Sequence, residues 1–426
     1  MIDPEKKIGI WGLGVVGTSA VNYFYPKFKN IQLIEKKELD IQTKLSLQEK
    51  GIEVLNQNLQ LETFLKHNDY ILFSPGIDLR PYKEYQHKWL PEVDIFRQVW
   101  KKPIIAVTGT VGKTSIVHLL SEILKANGIK VATGGNIGIG MLDILKLQDS
   151  SDIAVLELSS YQLEHCKIFN PEIAVWTNLF ENHLDHHTNM QEYFEAKLKI
   201  ILHQNKSQKA ILPVNLQEPI LNYKTFEQNL IFFDEKNYDK KILKNFKEII
   251  DLTYKTNWII IDKVLENLNI KNPILPKLEL PEHRLDFVGE INGRKFYNDS
   301  KSTIAQATLA AVEKLNNKSV VLFLGGISKG VNRSNLVASL KNKVKYILCF
   351  GGEAEQLYEF CKQHLINASA HKNLEDAFEK GIEISIPGDI LLFSPAGASF
   401  DLFKDYKDRG NKFKQLVQQY KLKNSY

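Results

Sequence analysis

Three stretches of this chain repeat one pattern: a short apolar run, a loop containing glycine or proline, then a helix-like segment. Alternation of this kind marks parallel α/β architecture, because parallel strands need a crossover connection and a helix supplies it. The first block opens with Ile8-Gly9-Ile10-Trp11, passes through Gly12-Leu13-Gly14-Val15-Val16-Gly17 and continues as a helical segment from 18 to about 25. Strands are expected at 31–34, running into Glu35, and at 70–73, running into Ser74-Pro75-Gly76. The second block predicts a strand at 103–107, a helix from about 114 to 126, strands at 153–158 and 173–177, and a helix over roughly 190–203. The third predicts a hairpin over 287–297 around Asn292-Gly293, then strands at 320–324, 346–350 and 390–393. Residues 217–271 are rich in Lys and Asn, and their periodicity places no element.

At 426 residues the chain is too long for one hydrophobic core, and two to four domains are expected. Lys plus Arg number 55 against 50 Asp plus Glu, so the formal charge of +5 leaves no concentrated basic face for a nucleic-acid binder. The three cysteines, Cys166, Cys349 and Cys361, show no C-x-x-C spacing, which favours a reducing, cytoplasmic setting over a disulfide framework. No run approaches the roughly 18 apolar residues of a membrane helix, and no signal-peptide core precedes the first strand.

Two glycine loops carry the chemistry. Gly12-x-Gly14-x-x-Gly17, between a strand and a helix and followed by Glu35, is a complete dinucleotide fingerprint and by itself suggests an NAD-dependent oxidoreductase. Glycines at a helix N-terminus accept any diphosphate, however, so a nucleotide sugar satisfies the same loop. Val107-Thr108-Gly109-Thr110-Val111-Gly112-Lys113-Thr114-Ser115 is the sharper signal. A strand, two glycines, a lysine and a hydroxyl residue opening a helix form a triphosphate cradle in which Thr114 can ligate Mg²⁺. Its first glycine is Gly109, so the loop is shorter than the common G-x-x-x-x-G-K-[ST] form. Glu157, ending an apolar strand beyond this loop, can bind Mg²⁺ or cap the helix that Ser159 and Ser160 open. His183, Asp185, His186 and His187 are too crowded to read as a zinc site.

The loop Gly109–Ser115 resembles the ATP loop of the Mur ligase superfamily, and the resemblance extends over essentially the whole chain, most closely to its D-glutamate-adding branch. It is carried in order by Gly12–Gly17, Ser74-Pro75-Gly76-Ile77, Gly134-Gly135-Asn136-Ile137-Gly138, Glu157–Leu163, Thr177-Asn178-Leu179, 183–187, Ala196-Lys197, His283-Arg284, Asn298–Thr303, Gly325-Gly326-x-x-Lys329-Gly330 and Ser394-Pro395-Ala396-x-Ala398-Ser399. It implies three domains: a Rossmann-like uridine-nucleotide domain at 1–91, a central P-loop-type ATPase domain with a mostly parallel sheet at 92–281, and a Rossmann-like amino-acid domain at 282–426.

The same resemblance implies an ATP-dependent amide ligase, a monomer acting in peptidoglycan precursor synthesis through an acyl phosphate, with UDP-N-acetylmuramoyl-L-alanine and D-glutamate as substrates. Another amino acid, or a folate-type substrate, is the alternative within the superfamily. Lys113, Glu157, His183 and Lys197 are then the catalytic set, with Thr114, Glu157, His183 and a carbamylated Lys197 supporting two Mg²⁺ ions. ATP is expected on Gly109, Thr110, Val111, Gly112, Lys113, Thr114, Ser115, Asn257, Arg284 and Asp299. The nucleotide-sugar substrate is expected on Gly14, Val15, Val16, Glu35, Ser74, Gly76, Asn136, Ser159, Gln162 and His183, and the amino acid on Lys301, Thr303, Lys329, Ser399, Phe400 and Tyr406. The chain departs from the family pattern at Val16, Asn182, Ile304 and Gly397.

Overall fold

The computed structural model describes residues 3–236, 246, 253–315 and 319–423 and contains three separate sheets. The first holds β1 (Ile8–Trp11), β2 (Ile31–Glu35), β3 (Glu53–Asn56) and β4 (Tyr70–Phe73), all parallel, in the order β3-β2-β1-β4. The second holds β5 (Ile104–Thr108), β6 (Val131–Gly135), β7 (Ile153–Glu157), β8 (Ile173–Trp176), β9 (Lys209–Pro213) and β10 (Asn229–Phe233), again all parallel, in the order β10-β9-β8-β5-β7-β6. The third holds β11 (Asp286–Ile291), β12 (Arg294–Asn298), β13 (Val320–Gly325), β14 (Tyr346–Phe350), β15 (Ala368–His371) and β16 (Ile390–Phe393), in the order β11-β12-β16-β13-β14-β15. Only the β11–β12 pair is antiparallel. Asn292 and Gly293 both take positive φ there, 50° and 72°, as the expected Asn-Gly hairpin requires.

Helices cover both faces of the second sheet, and burial explains its sequence. Every residue of β5 and β7 is buried, so these strands read as unbroken apolar runs rather than alternating ones. The helix Lys113–Ala126 turns Ile116, Leu119, Leu120, Ile123 and Leu124 inward at helical spacing, each fully buried side chain contributing on the order of 2 kcal/mol. Residues 3–179 and 191–279 form one compact unit, and 180–190 with 280–423 form another.

Within the first unit the helix Val15–Phe24 packs on the short helix Met141–Ile144. Ser19 Oγ accepts from the Asp143 N–H at 3.0 Å, and a Cβ on Gly140 would lie 2.4 Å from that of Ser19. This close approach joins the first two sheets. The segment 180–190, which carries His183, packs with the last sheet although it lies in sequence between strands of the second. Among the described residues no helix is long and apolar enough to cross a membrane.

Candidate active site

In an open parallel sheet, ligands bind beyond the carboxyl ends of the strands where the strand order reverses. In the second sheet that point lies between β5 and β7, which pair side by side. The β5 end carries the loop 109–112, and the helix Lys113–Ala126 follows it. Gly109 has φ 142°, and a Cβ there would lie 1.9 Å from Thr177 Oγ1; Gly112, at φ 88°, would meet Asn257 Oδ1 at 2.7 Å. Thr177 Oγ1 donates to Val111 O at 2.7 Å. Asn178 Oδ1 accepts the N–H groups of Thr110 and Val111 at 3.2 and 3.0 Å. The loop is thus clamped from β8 by two side chains. Gly112 provides no side-chain cap, and a helix N-terminus leaves its first N–H groups without intrahelical partners, which suits an anion.

Charged groups gather on this loop. Lys113 Nζ curls back to donate to Gly109 O and Thr110 O at 2.7 and 3.0 Å. Lys197, 1% exposed on the helix Met190–Leu202, donates to Gly109 O at 3.0 Å and lies 4.6 Å from the centre of the Tyr193 ring, one helical turn away. Burial, reinforced by the nearby Lys113 cation and opposed by Glu157, holds its amine well below the ordinary lysine range. Tyr193 Oη in turn lies 3.2 Å from Thr110 Oγ1.

Glu157 ends β7, 2% exposed. Its Oε2 accepts the Thr114 hydroxyl at 2.5 Å and its Oε1 accepts Asn136 Nδ2 at 2.9 Å. Glu157 does not cap the following helix: Ser159 does, in a reciprocal capping box with Gln162. Freed from capping, the carboxylate and the Thr114 hydroxyl offer hard oxygen donors of the kind Mg²⁺ takes.

The first sheet reverses order between β1 and β4, where Gly12–Gly17 and Ser74 lie. Ser74 Oγ donates to Gly12 O at 3.2 Å, and a Cβ on Gly17 would lie 1.9 Å from that same oxygen. Glu35 Oε2 accepts the Leu13 N–H at 2.7 Å while its Oε1 accepts from Lys36 and Lys37 N–H. Val15 stands half exposed, Val16 is buried, and the space around Gly76 is open.

In the second unit, Asp299 follows β12 and is buried. It accepts from Ser302 Oγ, Ser394 Oγ and the Leu285 N–H at 2.5, 2.8 and 3.0 Å. Burial pushes its carboxyl up to about 6 against those hydrogen bonds and the Arg284 charge. Lys301 Nζ lies 3.7 Å from the centre of the Tyr406 ring, Thr303 is half-buried, and Ser399 is buried beside the exposed Phe400. Lys329 takes φ 54° in the turn after β13. His183, at φ 58°, accepts the N–H groups of His186 and His187 in a tight turn, and a Cβ on Gly330 would lie 3.4 Å from Asp185 N.

The first unit therefore gathers Lys113, Thr114, Asn136, Glu157, Lys197 and Asn257; His183, Arg284, Asp299, Lys301, Thr303, Lys329, Ser399, Phe400 and Tyr406 lie in the second. Sequence reasoning named Thr177 and Asn178 as part of a motif but gave them no role, and it passed over Tyr193, Arg333 and Arg409. Asn178 was findable, since an Asn one residue past the strand expected at 173–177 has a backbone loop within reach.

Family comparisons bear on the same residues. The Mur ligase middle domain matches residues 107–276, and the Mur ligase glutamate ligase domain matches 283–397. Two UDP-N-acetylmuramoylalanine–D-glutamate ligases, from Oleidesulfovibrio alaskensis and Lawsonia intracellularis, are each 30% identical, over 96% and 97% of this chain and 93% and 94% of theirs. The enzyme of that name from Pseudothermotoga lettingae is 32% identical over 83% of this chain and 86% of its own. Among solved structures, UDP-N-acetylmuramate-alanine ligase from Thermotoga maritima superposes with TM-score 0.58 at 15% identity, covering 98% of this chain and 100% of that one. The bifunctional folylpolyglutamate synthase/dihydrofolate synthase from Yersinia pestis gives 0.56 at 15% identity, covering 76% and 97%. With its phosphate loop, its strand-end acid and relatives matched along nearly their full length, the chain belongs to the Mur ligase family of ATP-dependent amide ligases.

Proposed function

We propose that this chain joins D-glutamate to UDP-N-acetylmuramoyl-L-alanine, with ATP cleaved to ADP and phosphate. The reading rests on one observation, the 2.5 Å contact between Thr114 Oγ1 and Glu157 Oε2, which sets a hard oxygen pair directly beside the phosphate loop. The choice of substrates follows the names of the full-length relatives. In this reading residues 1–91 hold the uridine nucleotide, 92–281 hold ATP and 282–426 hold D-glutamate, in a cytoplasmic monomer.

The N-terminus of the helix Lys113–Ala126 and the Lys113 side chain orient the triphosphate so that the alanyl carboxylate attacks the γ-phosphorus and ADP leaves. The amine of D-glutamate then attacks the acyl phosphate, and phosphate departs as the amide forms and the amine loses a proton. Thr114 and Glu157 would hold Mg²⁺, which supplies charge neutralisation for the transferring phosphoryl group when bound. Only an unprotonated amine attacks CO₂, and burial lowers the proton affinity of the Lys197 amine, so Lys197 is suited to carry a carbamate, whose negative charge would support a second ion. Arg284 and Asp299 are assigned to the nucleotide; Lys301 and Lys329 supply point charges for the two carboxylates of the amino acid.

Phosphate release measured with ATP, UDP-N-acetylmuramoyl-L-alanine and a panel of amino acids and folates tests the assignment. Release is expected with D-glutamate; release with L-alanine or a folate but not with D-glutamate refutes it. Carbon-13 NMR of enzyme equilibrated with labelled bicarbonate tests the carbamate, whose resonance should vanish in Lys197→Ala.

A further inference from the structure

Four loops meet at the carboxyl ends of β12, β13, β14 and β16, and they carry Lys301, Lys329 and Ser399. Two buried guanidinium groups hold these loops through their carbonyls. Arg409 donates to Ser300 O and Gly397 O at 2.7 and 2.9 Å. Arg333 donates to Gly325 O, Gly326 O and Glu353 Oε2 at 2.8, 2.9 and 2.6 Å. Glu353 then accepts the Ser328 N–H on its other oxygen at 2.9 Å. We infer that Arg333, acting with Glu353, is a positioning residue for the amino-acid substrate, fixing the turn that presents Lys329.

The turn needs an external hold. Gly326, Lys329 and Gly330 all have positive φ, at 69°, 54° and 79°, and for the lysine that conformation costs on the order of 1 kcal/mol. The ion pair grips three of the four residues before Lys329: the Gly325 and Gly326 carbonyls through Arg333 and the Ser328 N–H through Glu353. Burying a guanidinium costs desolvation that an apolar side chain would avoid, and Arg333 is only 3% exposed. A role confined to filling the core would not call for these backbone partners. Gly397 fits the same arrangement. A Cβ there would lie 3.0 Å from Arg333 Nη1 and 2.3 Å from Gly325 O, so this departure from the family pattern leaves room for the guanidinium.

The inference rests on the proposed amino-acid site, and the test separates the two. Phosphate release by the full chain is measured at saturating ATP and nucleotide sugar while D-glutamate is varied. Arg333→Met and Glu353→Gln are each expected to raise KM for D-glutamate on the order of tenfold, with Arg333→Lys recovering part of the loss. KM for ATP should stay within about twofold of wild type, and kcat likewise. In a Lys329→Ala background, Arg333→Met should add almost nothing. Equal losses in both backgrounds, or a fall in kcat with KM unmoved, overturn the positioning role. Glu353→Gln keeps the side-chain volume and carries the test if Arg333→Met does not fold. A wild-type chain that uses another amino acid of the panel refutes the substrate assignment alone, and the positioning role is then read on that amino acid's KM.

Discussion

Glu157→Gln separates holding the site together from serving it. The amide has the shape of the carboxylate, so its oxygen can still accept from Asn136 Nδ2 and its NH₂ can donate to Thr114 Oγ1, preserving both contacts. Each contact changes from a charge-assisted to a neutral hydrogen bond, a loss of about 1 kcal/mol apiece. Removing a buried charge recovers desolvation free energy of similar size, so net stability should change by less than about 2 kcal/mol. Activity should behave otherwise. Loss of the anionic oxygen beside Thr114 weakens neutralisation of the transferring phosphoryl group by several kcal/mol, roughly a 10²–10³-fold drop in kcat. Thermal melts followed by circular dichroism, together with phosphate release titrated with Mg²⁺, give both quantities on one preparation. Activity within tenfold of wild type would falsify the assignment of Glu157 to the metal.

Lys197→Met should abolish turnover yet raise the melting temperature at pH 7. Because the folded-state pKa is depressed, the unfolded chain holds the lysine proton more tightly than the folded one; this penalty shrinks as pH rises toward the ordinary lysine value, so the gain should narrow near pH 10. A variant that melts below wild type by the same margin at both pH values refutes this. Glu92, buried with Oε1 accepting the Met141 N–H at 2.8 Å and Asp143 nearby, is pushed up to about 7 by burial. The folded state holds its proton more tightly than the unfolded one. Glu92 therefore supports folding fully below the unfolded pKa and loses roughly 3 kcal/mol as pH rises from about 4.5 to 7. Glu92→Gln should flatten the stability profile across that window, and parallel profiles for the two proteins would exclude the effect.

Most strands that sequence reasoning located are buried on both faces, and the half-buried hairpin β11–β12 was legible through its Asn-Gly turn instead. β5, β7, β8, β13, β14 and β16 are largely apolar; β7 closes on Glu157, and each of the others runs into a glycine, threonine or serine at its carboxyl end. Edge and half-buried strands without such a turn signal escaped. Glu53–Asn56 buries only Leu55, and Ala368–His371 is half-buried throughout, so neither forms an apolar run. Val131–Gly135 closes on two glycines and Lys209–Pro213 opens on a lysine and closes on a proline, so neither gives an unbroken apolar run, though both are parallel members of the second sheet. The same limit applies to the site. Lys113 and Thr114 are legible because their neighbours in sequence are their neighbours in space. Arg333 reaches Glu353 and Arg409 reaches Ser300 only after strands intervene, and Asn257 reaches Gly112 from a helix in the poorly patterned stretch.

The two glycine loops, the second already the sharper signal in the sequence, differ in what their own chain has taken from them. In the first, Glu35 is the acid that a dinucleotide enzyme would turn toward a ribose, but both of its oxygens serve N–H groups of Leu13, Lys36 and Lys37. In the second, Asn178 takes the Thr110 and Val111 N–H groups, which concentrates the loop's capacity for anions on the N-terminus of the helix Lys113–Ala126. Lys113 is attached at that N-terminus and Lys197 is buried beneath the same loop, where burial and the Lys113 cation lower the proton affinity of the Lys197 amine and Glu157 opposes them. Such an arrangement disfavours a proton on Lys197. A triphosphate would relieve it by adding negative charge, and so would the proposed carbamate on Lys197. Either way the second loop is electrostatically complete only with an anion in place, and that distinguishes it from a glycine turn that merely lets a strand become a helix.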